Sequence, residues 1–541
     1  MAIPPGVSER DFARALEQFK SVVGDQWVFT SAADVALYKD AYSPMWGEPE
    51  EKLTSAAVAP DSADQVQKIV KIANELRIPL YPISTGRNLA YGHCAPVLSG
   101  SVVLDLKRMN RIIEVDEKSA FALVEPGVSY FDLFRHIREK KLKLWIDCPD
   151  PGWGSVIGNA MDHGIGYTMN PYRDHWDAHC GLEVVTATGE LLRTGMGALP
   201  KAKSWQHFKY GYGPHIDGIF SQSNFGVVTK MGIWLMPEPE AFIEGRVRVH
   251  KYHDIIPLLE HMKYFMNTSL MNCGTTNLTS PIRAELSKDP ATRKLLTKDD
   301  AASIDRMNAI AAERKVPFYS VSLRFYGPKP VIRAQWDYAK QRLSSISGID
   351  FEDGATYDFP LSDEQLPKVH SERELGIPSL SIFSIGIRSN FGPGNTGHLG
   401  FSPVIPMTGE AILESMRVIE TVLQDYADER GAPVAGVVFP QSYHARTLVI
   451  LVLFGIVRDP KINGRTREVF KNLVKIAADH GWGEYRTHTA FMDVCRETYS
   501  FNDNALLKFT DIMKDAVDPN GILSAGRYGI WPKHLRNKKN A

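Results

Sequence analysis

The stretch PISTGRNLAYGHCAP, Pro82 to Pro96, continues a short apolar run, Leu80 to Ile83, and then breaks it with glycine. Gly86 and Gly92 bracket an arginine, an asparagine and a tyrosine. Glycine lets the main chain take positive φ and lets a ligand approach it closely. Successive backbone N–H groups in such a turn form a concavity that suits an anion. Phosphate is the obvious guest, but a plain surface turn accounts for the same residues. The loop follows a strand rather than opening a helix. It is neither the strand–G-x-G-x-x-G–helix order of a dinucleotide fold nor a G-x-x-x-x-G-K-[ST] phosphate loop.

Working outward, Ser62 and Gln65 resemble a capping box, and Val66, Ile69, Val70, Ala73 and Leu76 recur at helical spacing. After the loop come two strand-like segments, SVVLDL and RIIEVD, then FALVEPGVSYFDLFRHI, a strand turning through Pro126-Gly127 into a helix. A second glycine-rich segment, DCPDPGWGSVIGNAMDHGIGYT, spans Asp147 to Thr168. GLEVVTATGELLRTG reads as a hairpin about Thr188-Gly189. Pro237 and Pro239 suggest a boundary near residue 240. Leu448 to Val457 is too short to span a bilayer, at roughly 20 residues for a helix, and reads as a buried strand. The end, EYRTHTAFMD through DPNGILSAGRYGIWP, is aromatic and glycine-rich like the beginning. Two similar ends around a different middle indicate an inserted cap.

At 541 residues, two domains are the natural division. Lys+Arg 62 against Asp+Glu 63 leaves a formal charge of -1, which supports neither nucleic-acid binding nor a membrane surface. The start, Met-Ala-Ile-Pro-Pro, lacks the charged and apolar regions of a signal peptide. Cys94, Cys148, Cys180, Cys273 and Cys495 are scattered, with no C-x-x-C pair, which argues against disulfides and a zinc site and for a cytoplasmic location. His250, His253, Asp254 and His261 match no metal motif, so no metal is expected.

Nine ordered motifs now act together: PISTGRNLAYG, VEPGVSYFDL, DCPDPGWGSVIGN, GIGYT, RTGMGALP, YGYGPHIDGIFSQSNFGVVTKMGIWLMP, GHLGFSP, GWGEYRTH and DPNGIL. With them the chain resembles, over nearly its whole length, the vanillyl-alcohol oxidase / para-cresol methylhydroxylase flavoproteins, especially bacterial eugenol-oxidase-like 4-phenol oxidases. The resemblance implies an α+β, two-domain PCMH-type FAD-binding fold with an inserted α+β cap. The expected division is 1–240 for FAD, 241–482 for the cap, and 483–541 returning to the FAD side and the active site.

The resemblance also assigns roles. Ser84, Thr85, Gly86, Arg87 and Asn88 hold the FAD pyrophosphate, facing Gly154, Ser155, Gly158 and Asn159. Val228 lies toward the adenine, and Asp150, Arg486 and Arg527 also contact FAD. His398 tethers the flavin covalently, where the methylhydroxylases carry tyrosine; a neutral imidazole nitrogen is the nucleophile that such a bond needs. Tyr91, Tyr485 and Arg486 bind a phenolate; Asp150 and Tyr167 act beside them, Asp150 as base. Met169, Phe391 and Phe401 are candidates for the cavity lining.

The implied reaction is oxidation of a para-substituted phenol. Hydride leaves the benzylic carbon for flavin N5, a para-quinone methide results, and O2 is reduced to H2O2. The nearest alternative is a dehydrogenase or methylhydroxylase passing electrons to a cytochrome. A flavin-binding protein without phenol turnover is a third class, and Tyr91, Asp150, Tyr485 and Arg486 together speak against it. Two departures from the family stand out. No histidine precedes His93, so another base such as His163 is needed to assist the tether, and no carboxylate lies between Glu374 and Glu410. The short connection from Pro200 through KAKSW to YGYGP points to a homodimer.

Overall fold

The computed structural model describes residues 3–272, 278–369, 372–383, 395–430 and 437–536. Its first sheet is built on parallel pairing. Val102–Asp105 lies between Ala56–Val58 and Leu80–Ile83, with Val28–Phe29 antiparallel at the edge. The helix Ala63–Leu76 makes the crossover, burying Val66, Ile69, Val70 and Ala73. Its start differs from the expected capping box. The Ser62 side chain makes no cap bond; Gln65 instead reaches back to accept the Asp61 amide at 2.9 Å.

A second, antiparallel sheet runs Ile112–Asp116, Phe121–Val124, Val227–Trp234, His179–Val185, Leu191–Arg193. The predicted hairpin closes through Gly189 at φ +79, the left-handed region that glycine tolerates. The helix Tyr130–Glu139 follows its strand under a true capping box, Ser129 and Asp132 each satisfying the other's amide.

From Ala241 the chain enters other sheets. Ala241–Val249 pairs with Tyr319–Gly327 on one side and Asp350–Asp358 on the other. The long strand Thr447–Val457 carries Asn395–Phe401, Val404–Pro406 and Val437–His444. A continuous core from Phe242 through Trp336 to Phe470 joins these sheets to their helices.

The last segment then returns. The Leu80 amide donates to Ile522, and Ser524 donates back to Leu80, adding the C-terminal chain beside the first sheet. Lys514, fully buried, anchors it by donating to Asp518 and to the Asn224 and Leu523 carbonyls. Among the described residues, no helix is long and apolar enough to cross a membrane.

Candidate active site

Two clefts meet at the C-terminal end of the strand Leu80–Ile83. The first is lined by Ser84, Thr85, Gly86, Arg87 and Asn88, by Gly154, Ser155, Gly158 and Asn159, and by Val228 and Arg527. The second contains Tyr42, Tyr167, Arg373, His398 and Tyr485. Tyr91, Asp150 and Arg486 line both. The predicted cofactor and phenol residues are thus brought to one connected space.

The first cleft is made by close backbone approach. A Cβ on Gly158 would lie 2.3 Å from Ser84 Oγ, and one on Gly86 2.4 Å from Cys94 Sγ. Ser155 caps the turn Val156–Met161, accepting the Gly158 amide and donating to the Pro126 carbonyl. The amides of Thr85, Gly86, Arg87 and Asn88 make no hydrogen bond among the described residues. Four adjacent unpaired donors, with Arg87 and Arg527 lining the same cleft, fit a pyrophosphate. Arg527 is held by Tyr81 at 2.9 Å and Asp162 at 3.0 Å; Asp162 also accepts from Asn88 at 2.9 Å and from Tyr528. Asp162 therefore sets two cofactor-side residues.

In the second cleft, Arg486 donates to the Tyr91 hydroxyl at 3.3 Å, its guanidinium 4.2 Å from the Tyr91 ring centre and 5.2 Å from that of Tyr485. Burial works against this cation, but the two tyrosines and Asp162 outweigh it and hold Arg486 above its ordinary value. The segment that carries it is pinned: Val404 donates to the Gly483 carbonyl, and Tyr485 to that of Ser402. Glu484, buried between them, is pushed well above the carboxylate range by burial. The Tyr485 hydroxyl donates to the His163 carbonyl at 3.0 Å. Within the expected trio, Arg486 therefore bonds the Tyr91 hydroxyl and lies over the Tyr485 ring.

Asp150 Oδ2 accepts from Tyr167 at 2.7 Å and from Arg373. Its Oδ1 is buried and accepts no hydrogen bond among the described residues. Burial, with Asp150 beside it, pushes Tyr167 well above the ordinary phenol value, which keeps it a donor. Burial opposes the Arg373 cation too, but Tyr167, Asp150 and Glu374 prevail and raise it. Arg373 lies 4.4 Å from the Tyr167 ring centre.

His398 projects from the strand Asn395–Phe401, opposite Gly455, with the Tyr42 ring 5.4 Å away. Burial pushes its pKa down to about 4, so the imidazole is neutral near pH 7. Val449, Leu451 and Leu453 supply an apolar wall.

Some expectations are corrected. His163 is not among the residues lining either cleft; it bonds Ser221 at 3.0 Å and stacks on Trp176, so the structure does not bring it beside His398 there. Phe401 is fully buried against Phe470, and Met169 packs on the same core, so neither lines the cavity. Phe391 lies outside the described residues. His250 pairs with Asp350 at 2.8 Å and its amide donates to Asp254 at 3.1 Å, while His261 bonds Ser345 at 3.1 Å. Sequence reasoning missed Arg373, Asp162 and Tyr42, because each acquires its role through partners hundreds of positions away.

Comparison with known proteins agrees with this geometry. A family model described as FAD binding domain matches residues 54–195, and one described as FAD linked oxidases, C-terminal domain, matches 392–528. The chain is 32% identical to the 4-cresol dehydrogenase [hydroxylating] flavoprotein subunit of Pseudomonas putida, over 98% of this chain and 97% of that one. It is 29% identical to the 1'-carboxy-chondrochloren decarboxylase of Chondromyces crocatus, over 96% and 98%. Among solved structures, a 4-ethylphenol oxidase from Gulosibacter chungangensis superposes with TM-score 0.83 at 33% identity, covering 99% of this chain and 100% of that one. With a two-domain PCMH-type fold and FAD as its cofactor, the chain belongs to the vanillyl-alcohol oxidase / para-cresol methylhydroxylase flavoprotein family.

Proposed function

We propose that this protein is an FAD-dependent oxidase of para-substituted phenols, with the flavin joined covalently to His398 and O2 as the final acceptor. The observation that carries the reading is the Arg486–Tyr91 pair at the junction of the two clefts, beside Asp150. Both relatives, a flavoprotein subunit of 4-cresol dehydrogenase and a 4-ethylphenol oxidase, carry a para-substituted phenol in their names, and the second also favours the oxidase reading.

The chain's residues divide the work. Arg486 and Tyr91 bind the phenolic oxygen, and the cation favours its ionised form. The apolar wall of Val449, Leu451 and Leu453 excludes water from the ring. FAD supplies the two-electron acceptor that takes hydride from the benzylic carbon. Asp150, fixed through Oδ2 by Tyr167 and Arg373, keeps Oδ1 free to take a proton from attacking water or from the substrate's side chain. Neutral His398 is a competent nucleophile for the tether.

On this reading residues 1–240 and 483–541 hold the cofactor and 241–482 form the cap. The free, buried thiols of Cys94, Cys148, Cys180 and Cys495 suit a reducing cytoplasm, and the short connection after Pro200 suits a homodimer.

The similarity to a dehydrogenase subunit sustains one alternative, transfer of electrons to a cytochrome. Mixing the purified protein anaerobically with 4-ethylphenol or vanillyl alcohol should bleach the flavin. Admitting air should restore the colour within seconds and yield stoichiometric peroxide. Bleaching followed by sluggish recovery would select the cytochrome route. Acid precipitation should leave the yellow colour in the pellet, and His398→Ala should move it to the supernatant.

A further inference from the structure

Away from both clefts, three ligand-bearing side chains converge where the loop before Val227–Trp234 meets the strand His179–Val185. His179 Nε2 lies 3.3 Å from Asp217 Oδ2, and His215 Nδ1 lies 3.7 Å from Asp217 Oδ1. All three ligand atoms fall within 4.8 Å of one another. His179 and Asp217 are buried; His215 stands at the surface with a third of its side chain exposed.

The protons on these groups pose a problem. His179 Nδ1 bonds the Trp176 carbonyl, and a carbonyl can only accept, so Nδ1 carries the hydrogen. In the neutral ring Nε2 then offers a lone pair toward a carboxylate, which repels. Either a second proton or a metal cation must stand between them. Asp217 Oδ2 also accepts from Thr194 Oγ1 at 2.9 Å, while Oδ1 is buried with no hydrogen bond among the described residues. A buried carboxylate oxygen with no hydrogen bond, the His215 nitrogen standing 3.7 Å away, is costly unless an ion takes it up.

Tetrahedral zinc with bonds of about 2.0–2.1 Å sets its ligands about 3.3 Å apart, so the three ligand atoms, all within 4.8 Å of one another, each need to close in by about 1 Å or less. Two imidazoles and a carboxylate, with water on the exposed His215 side, are a donor set zinc accepts. The outer support is present too. The Trp176 carbonyl fixes the His179 tautomer, and the Trp176 ring stacks on His179 at 3.8 Å. We propose that His179, His215 and Asp217 bind one zinc-class divalent ion, which clips the loop 195–219 to the strand behind it. That loop has only two short turns, Gly195–Ala198 and Asp217–Ile219, and exposes Leu199, Phe208, Tyr210 and Tyr212.

The test uses untagged, flavin-loaded protein stripped with chelator, dialysed, and titrated with zinc alone, with cobalt as the coloured probe. One equivalent should bind to the unmutated protein, with a visible cobalt band. His215→Ala should weaken binding by at least about a hundredfold, the upper end of what losing an outer-shell partner alone costs. It should abolish the cobalt band while leaving flavin content and phenol turnover unchanged. Limited proteolysis within 195–216 should speed up in the stripped protein and in His215→Ala, and slow on adding zinc only in the former. Binding well below one equivalent, or equal binding by His215→Ala, would overturn the site and leave a plain His179–Asp217 ion pair.

Discussion

Thr85, Gly86, Arg87 and Asn88 line one cleft from four adjacent positions, their main-chain amides without a hydrogen bond among the described residues. The other cleft draws Tyr42, Asp150, Arg373, His398 and Arg486 from five separate parts of the chain. Backbone donors in a tight turn are fixed by local geometry, so the cofactor side depends on glycine and on close packing. The second cleft, the substrate side on the proposed reading, depends on long-range placement of charge. The two sides should therefore fail differently, and mutations can be chosen to test that separation.

The largest effect is expected at Arg486. A phenol titrates near 10, so holding it ionised at pH 7 costs about 4 kcal/mol. Charge-assisted hydrogen bonds contribute roughly 1.5–3 kcal/mol each, so on the proposed reading the guanidinium is the main counterweight. Arg486→Ala should slow flavin reduction about 100- to 1,000-fold, with FAD content and reoxidation nearly unchanged. The 4-O-methyl ether of a good substrate should be inert in stopped-flow reduction. Equal rates for phenol and ether would refute phenolate binding, and loss of FAD in Arg486→Ala would show that the clefts are not separable.

His398 gives a comparable effect on stability rather than rate. Its ordinary value near 6.5 falls to about 4 on burial. Above pH 6.5 both the folded and unfolded apoprotein hold a neutral ring, and the site costs nothing. As pH falls from 6.5 toward 4 the unfolded chain takes the proton and the folded one does not, so stability is lost across that window. The loss is about 3 kcal/mol. Urea denaturation of apoprotein at pH 7.5 and 4.5 should show that extra loss relative to His398→Phe. Identical pH dependence in the two proteins would mean that the ring is not desolvated in the fold.

What could be read from sequence follows the same division. The helix Ala63–Leu76, the hairpin at Gly189 and the loop after Ile83 all rest on neighbours in sequence. Arg373 meets Asp150 across 223 positions and Arg527 meets Asp162 across 365, so no local pattern marks them. The strand Thr447–Val457 shows the limit clearly. Its unbroken apolar run reads as buried on both faces. In the fold Leu448, Ile450, Val452 and Phe454 enter the core while Val449, Leu451 and Leu453 wall the second cleft. Hydrophobicity alone cannot tell a core from a pocket for an aromatic ring.

A smaller effect belongs to the cofactor side. Gly158→Ala would push a methyl group to 2.3 Å from Ser84 Oγ and 3.3 Å from its Cβ, so the Ser84 hydroxyl must turn away or the two glycine-rich segments part. Overpacking of this kind costs about 1–3 kcal/mol. FAD content and thermal stability should fall together, while the flavin that remains is reduced by phenol at the normal rate. A slowed reduction at full occupancy would contradict the division into a main-chain side and a side-chain side.

The smallest expected effect is at Tyr485, and it bears on the substrate side itself. The Tyr485 hydroxyl donates to the His163 carbonyl at 3.0 Å, while Arg486 bonds Tyr91. Burial raises the Tyr485 phenol far above its ordinary value, despite the Arg486 cation, so it does not supply an anion. A neutral hydrogen bond of this type is worth about 0.5–1.5 kcal/mol. If the hydroxyl keeps its carbonyl when substrate binds, Tyr485→Phe should slow flavin reduction only about three- to tenfold. Tyr91→Phe should cost more, because that hydroxyl shares the guanidinium with the phenolate. The alternative is that the hydroxyl leaves His163 and turns to the substrate oxygen. Tyr485→Phe would then approach Arg486→Ala, and the double mutant would be little worse than either single one, because the residues act as a unit. Stopped-flow reduction of the three variants with one para-alkylphenol decides between a two-donor and a three-donor site.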